Sequence, residues 1–309
     1  MKIYKILFFA FLLISISTFS QEKVKDTIVK EKLERPAFES ATLIDNPTNV
    51  LFSKNTLEVV MAHRFGLIKG QTGVSDNDLV GFWGASNIRI GLSYAIHERL
   101  TIGFGTTKFD RLQDFNWKVG LLRQTRSNKM PISVTYYGNF VIDARLKDAK
   151  FSPYPGAQQV SRFGELSDRF SYFNQLIIAR RFSPKLSLQI APSISHYNVV
   201  KNSMRNDMVA VAFGGRYKIS DQTSVMFDYS QPITEFYSEN PPPGISLGLE
   251  FGTSAHTFQI FMTNYNGIVP QKNYMFNQNN GFGAGEFKPF GKGGGDFLIG
   301  FNITRNYNF

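Results

Sequence analysis

From about residue 55 to the C-terminus the chain alternates apolar with polar or small side chains in runs of roughly ten residues, about twelve times over. Side chains alternate across a β-strand, so each run carries one apolar face and one opposite face. The last run is the clearest. Phe297, Ile299, Phe301, Ile303, Tyr307 and Phe309 share one parity, and Asn302, Thr304, Asn306 and Asn308 share the other. In water, an edge strand with so apolar a face invites sheet-to-sheet aggregation. In a closed membrane barrel it is neither an edge nor wet. Runs of about ten residues also suit tilted strands crossing an apolar layer about 25 Å tall.

The other runs repeat the theme. Leu57, Val59, Met61 and Phe65 mark the first apolar face, Ile88 to Ile96 the second, and Leu100, Ile102 and Phe104 the third. The sixth, from Phe170 to Phe182, is apolar on both parities and harder to read. The connections sort by length. His97-Glu98-Arg99, Ser183-Pro184-Lys185, Ser220-Asp221-Gln222 and Gly252-Thr253-Ser254 read as tight turns, and Thr125 to Lys129 is little longer. All five fall at alternate connections; the intervening segments 66–86, 108–113, 143–168, 199–206, 231–243 and 266–294 include much longer ones. Short turns on one rim and long loops on the other form the outer-membrane pattern, with both termini on the short-turn, periplasmic side. A soluble β-sandwich has no reason to sort its loops this way.

Composition fits the same class. No stretch after Ser20 approaches the length of a membrane helix, and the mean hydropathy is slightly negative. That excludes a helical membrane protein but not a barrel, whose lipid-facing residues occupy every second position. Thirty Phe and thirteen Tyr residues suit aromatic girdles at two membrane surfaces. Lys2 and Lys5 precede an apolar run from Ile6 to Ile16 and then small residues, the layout of a secretory signal with cleavage after Ser20. The absence of cysteine excludes disulfide staples and a lipidated N-terminal cysteine. The net charge of +10 falls to +8 without residues 1–20, which hold two lysines and no acid. A phosphate-rich lipid surface or an anion-favouring lumen is a better use for it than nucleic acid.

The expected organisation is a signal peptide over 1–20, a periplasmic and partly disordered segment over 21–54, and a transmembrane, antiparallel, up-and-down barrel of about twelve strands over 55–309. Within 21–54, Asp45-Asn46-Pro47 is a turn signal, and Val50-Leu51-Phe52 could tuck into a barrel mouth. The inward parity is mostly small, as at Gly91, Ser93, Ala95, Gly103, Gly105, Ala210, Ala212 and Gly214. Glu58, Arg64, Arg89, Lys118, Arg216, Lys218, Asp228 and Glu250 are the candidate lumen charges. Arg64 shares parity with Glu58, which suggests an inward ion pair. Arg89 and Lys118 would extend a basic ladder, or be neutralised by Asp228 and Glu250. Small inward residues would leave a pore, and a loop or the N-terminal segment would equally fill one; the pattern leaves both open. Tyr307 and Phe309 form the expected assembly signal at the periplasmic interface.

His63-Arg64-Phe65-Gly66, Asn87-Ile88-Arg89-Ile90-Gly91, Leu121-Leu122-Arg123-Gln124, His256-Thr257-Phe258-Gln259 and Gly300-Phe301-Asn302-Ile303-Thr304-Arg305 carry a resemblance. In this order they are similar to the β-barrel outer-membrane proteins of Bacteroidetes-type bacteria grouped as domain of unknown function 5777. The resemblance spans nearly all the mature chain. It implies an outer-membrane barrel and brings no activity, substrate or catalytic residue.

Catalysis has little support. Ser195 and His196 are adjacent and so point to opposite faces of a strand, while His63, His97 and His256 are scattered. Without cysteine, and with these four histidines dispersed, neither a transition-metal site nor any other cofactor is expected. The glycine-rich stretch 281–295 fails as a phosphate loop, because Gly285 and Gly291 enclose five residues rather than four and Gly293 stands where Ser or Thr belongs. The expected function is passive passage or binding of small solutes. The alternative is a closed scaffold for periplasmic or surface partners, with a lipid-directed enzyme third. Expected partners are outer-membrane lipid, lipopolysaccharide included, and the outer-membrane assembly machinery.

Overall fold

The computed structural model describes residues 31–68, 79–147, 150–151, 158, 160–253, 256–283 and 295–309. The secretory-signal reading, with its cleavage after Ser20, lies outside these residues, as does most of the glycine-rich stretch. Twelve antiparallel strands follow one another around a closed barrel. They are β1 Thr56–Arg64, β2 Asn87–His97, β3 Leu100–Thr107, β4 Leu112–Leu122, β5 Ser133–Asp143 and β6 Phe170–Arg181, then β7 Leu186–Tyr197, β8 Asp207–Lys218, β9 Thr223–Pro232, β10 Gly244–Gly252, β11 His256–Thr263 and β12 Leu298–Asn308. Closure is made by β12 against β1, in register from Gly300 opposite Arg64 to Asn308 opposite Thr56. The terminal Phe309 N–H adds one more bond to the Asn55 carbonyl at 3.3 Å. The last strand is thereby paired along its length with β1 and leaves no open edge to hydrocarbon, which supplies no hydrogen-bond partner.

Met61, Ile90, Leu92, Ile102, Phe104 and Phe115 are exposed on the outer face. Burying such side chains is worth roughly 1.5–3 kcal/mol each, so an all-round apolar exterior is stable only against lipid. No helix among the described residues is long and apolar enough to cross a membrane; the chain crosses with strands. Phe104, Phe115, Phe140 and Phe170 run side by side across β3 to β6, with centroids 5.2, 6.4 and 5.1 Å apart. Alternate connections are tight, as expected: the Phe182 N–H meets the Leu186 carbonyl, and the Ile219 N–H meets that of Thr223.

Two segments fill the lumen. Residues 33–54 belong to the segment expected to be periplasmic and partly disordered. They start at the short-turn rim, where the Glu34 N–H bonds the Gln124 carbonyl, climb into the lumen, turn, and descend to β1. The turn is a miniature hairpin, Thr42–Leu43 paired with Asn46–Pro47, with Ile44 at φ 53°. Phe38, Leu43, Ile44 and Val50 pack on Ala179, Met226 and Phe261 of the wall. The high local charge ends at Arg35, and the apolar residues beyond it find their buried surface inside the barrel. The other is the long segment after β11, one of the loops that could equally have filled the lumen. It places α1, Pro270–Phe276, in the lumen, with Pro270 in the first turn. Tyr274 and Met275 join Phe173, Ile177, Met208 and Ala210 in a second cluster. This explains why β6 is apolar on both parities: its outer face meets lipid and its inner face meets α1.

Candidate functional site

The hairpin enters from the short-turn rim and α1 from the long-loop rim, and they meet where the Tyr274 hydroxyl donates to Asn46 Oδ1. Around that point the wall is polar. Asp228 of β9 accepts from the backbone N–H groups of Asp45 and Asn46 at 3.1 and 3.0 Å and from Asn46 Nδ2 at 2.8 Å. Asp45 accepts from Ser246 at 2.6 Å and Thr263 at 2.8 Å, and pairs with Arg64 at 3.0 Å. Asn302 of β12 accepts from Arg64 and donates to the Ile44 carbonyl. One tight turn is therefore held by β1, β9, β10, β11, β12 and α1. Lower down, Lys118 donates to the Ala41 and Thr48 carbonyls at 2.7 and 2.9 Å, and Gln189 to that of Pro47.

The small inward residues are explained by what fills the space beside them. A Cβ on Gly214 would lie 2.6 Å from a Leu43 methyl of the hairpin, and one on Gly105 2.2 Å from the Arg89 guanidinium. Their smallness accommodates contents, not an open pore.

Not all of the lumen is filled. A cavity of about 80 Å³ remains along β1 to β5, with Ala41 to Pro47 on one side and Ile268 to Pro270 on another. Glu58, Arg64, Arg89 and Lys118, four of the eight charges read as inward, line it. Their pairing differs from expectation. Arg64 pairs with Asp45 rather than Glu58, because the hairpin brings its own carboxylate to the buried guanidinium. Arg89 forms no free basic ladder; Asp114 of β4 takes it in a two-pronged bond of 2.8 and 2.7 Å. Lys118 spends two N–H donors on the hairpin, and Asp228 serves the hairpin turn instead of neutralising a base. Arg216 faces Glu250 at 3.5 Å and Glu39 at 3.1 Å near the short-turn mouth, where Lys218 is half-buried. Tyr307 and Phe309 lie apart from the lumen on the outer surface, Phe309 81% exposed. Sequence reasoning missed Asp45 and Asp114; Asp114 shares the inward parity of Lys118, and that was the available signal.

Above the cavity, Asp110 in the β3–β4 connection bonds Lys272 of α1 at 2.6 Å and Arg145 at 2.8 Å. Partial burial alone would raise its carboxyl pKa, but the Lys272 and Arg145 cations outweigh that and hold it below the usual carboxylate value. The histidines do not converge. His196 faces Asp207 and Asn198, His63 stacks on Phe301 at 5.0 Å, and His256 stacks on Phe258 at 6.0 Å. Among the described residues no three of His, Cys, Asp and Glu gather as metal ligands.

Apolar exterior, closed sheet and occupied polar lumen together define a membrane-spanning β-barrel of the outer-membrane type. The chain belongs to the membrane-bound β-barrel domain family, domain of unknown function 5777, which matches residues 38–307. Among solved structures, the NanC porin aligns at 8% identity over 81% of this chain and 98% of its own, with a TM-score of 0.47. An outer-membrane channel of Pseudomonas putida F1 aligns at 10% identity over 84% and 97%, TM-score 0.43. The toluene transporter TodX of Pseudomonas putida aligns at 9% over 90% and 96%, TM-score 0.36. No curated protein matches the chain.

Proposed function

We propose that the protein is a gated outer-membrane channel for small polar solutes, closed in this state by the N-terminal segment. The observation that carries this reading is the polar clamp on the hairpin turn. Asp228, Ser246, Thr263, Asn302 and Arg64 hold it with groups that water can replace, so withdrawing the turn leaves a wall able to hydrate. A barrel of twelve strands lies between about eight, where side chains fill the interior, and about sixteen, where an aqueous channel opens. The segment also leads directly to the short-turn rim, which the outer-membrane pattern makes periplasmic, so it can be drawn from that side. Export by residues 1–20 with cleavage after Ser20, and recognition of Tyr307 and Phe309 by the assembly machinery, complete the reading; lipid and lipopolysaccharide surround the exterior.

Planar-bilayer recording is the test. The full-length protein is expected to be silent or nearly so, and a variant lacking residues 37–50 to give steady currents. A deleted barrel that inserts and stays silent overturns the channel. The contact between hairpin and α1 favours one second reading, a closed scaffold presenting its loops and N-terminal segment to partners. That reading requires a stable partner to co-purify from native membranes.

A further inference from the structure

We propose that the cavity between hairpin, α1 segment and strands β1 to β5 is a binding site for a small zwitterion, an α-amino acid of the size of glycine or alanine. The inference rests on the gated-channel reading for its purpose, since the cavity lies beside the N-terminal segment that closes the lumen. Its argument is local. The lining holds three acids, Asp45, Glu58 and Asp114, and three bases, Arg64, Arg89 and Lys118. A site balanced in this way gives no net attraction to an anion or a cation. Two of the acid–base sets are closed ion pairs, Arg64 with Asp45 and Arg89 with Asp114. Glu58 and Lys118 remain, of opposite charge, on the same cavity.

Each has an open valence. Glu58 is 2% exposed, and its Oε1 has no hydrogen-bond partner. Lys118 is 7% exposed and directs two of its three N–H donors to the hairpin carbonyls. Asn139 of β5, 3% exposed and on the same cavity, leaves its Oδ1 acceptor unpartnered as well. Buried acceptors of this kind are costly to leave unmet. A solute ammonium would donate to Glu58 Oε1 and Asn139 Oδ1, while its carboxylate would accept from Lys118. Size sets the limit: about 80 Å³ holds roughly five or six water positions, enough for glycine or alanine and too little for an aromatic amino acid.

The test is equilibrium dialysis of the purified full-length protein in detergent micelles against radiolabelled glycine, with alanine, acetate, methylamine and phenylalanine as competitors. One glycine per chain is expected, displaced by alanine and at least about tenfold less well by the other three. E58Q and K118M should each weaken retention about tenfold or more. Because Lys118 also steadies the hairpin, N139L serves as a further variant: it replaces the open acceptor with an apolar group, should reduce retention, and should leave the heat-dependent gel shift of the folded barrel unchanged. No retention by the wild-type protein means a cavity that holds water only and overturns the proposal. So does competition by acetate or methylamine equal to that by alanine, or retention indifferent to all three variants. Bilayer currents separate the two readings: glycine retention by the full-length protein together with a silent, inserted variant lacking residues 37–50 keeps this site and loses the channel, and currents from that variant without retention by the full-length protein do the reverse.

Discussion

The two sides of the lumen are built on different principles. Along β6 to β9 the wall offers Phe173, Ile177, Met208, Ala210 and Met226, and the hairpin and α1 press apolar side chains into it. Along β1 to β5 the wall offers Glu58, Arg89, Asp114, Lys118 and Asn139, and the same two elements stand off, leaving the cavity. Apolar surfaces gain by closing every gap, whereas a charged wall gains by keeping its groups solvated or paired. The first side fixes the plug; the second leaves a cavity beside it.

Truncations should expose that contrast. Phe173→Ala on the packed side should cost about 3–5 kcal/mol, the usual toll for emptying an aromatic site. Arg64→Met should cost about as much, or slightly less, since it leaves the Asp45 carboxylate buried without its cation. Both are read by denaturant unfolding in detergent, and Arg64→Met should also expose the bond between Glu39 and the buried Ser40 to a glutamate-specific protease. Tyr274→Phe removes the single hydrogen bond joining α1 to the hairpin and should cost about 1 kcal/mol. Asn139→Ala on the cavity side, beside open space, should fall within about 0.5 kcal/mol. If Asn139→Ala proves as costly as Phe173→Ala, the two sides do not differ in kind.

An effect confined to strong acid concerns the latch between α1 and the β3–β4 connection. Asp110 has a depressed pKa in the folded protein, so its pairing stabilises fully above the unfolded value of 3.8 and is lost as the pH falls through the lower folded value. Acidification from pH 7 to 5 should therefore leave the latch intact, and only stronger acid should loosen it. Asp110→Asn should reproduce the loosened state at neutral pH at a cost of about 0.5–1 kcal/mol. Hydrogen exchange across residues 270–276 measures both.

The barrel could be read in the chain because lipid imposes a rule on every second residue of each strand, and the run from Phe297 to Phe309 obeys it. The contents of the barrel answer to no such rule. Asp45-Asn46-Pro47 announced a turn, yet nothing local to it names Asp228, 183 residues away from Asp45, as its acceptor. Arg89 and Asp114 meet only because β3 lies between β2 and β4 in a particular register, with Gly105 leaving room for both. Seven residues of α1 are too few to display a helical period, and Pro270 was the sole local cue to where it begins.

The hairpin also implies a chronology. Asp45 bonds Ser246 and Thr263, 201 and 218 residues further along, and Asn302 bonds the Ile44 carbonyl across 258 residues. None of these partners is in place until the final third of the barrel has formed, so the segment that leads the chain must wait, unseated, while the strands assemble around an empty interior. Its seating marks the completion of the barrel, and a chain stalled before β12 would be left with this segment open to proteolysis.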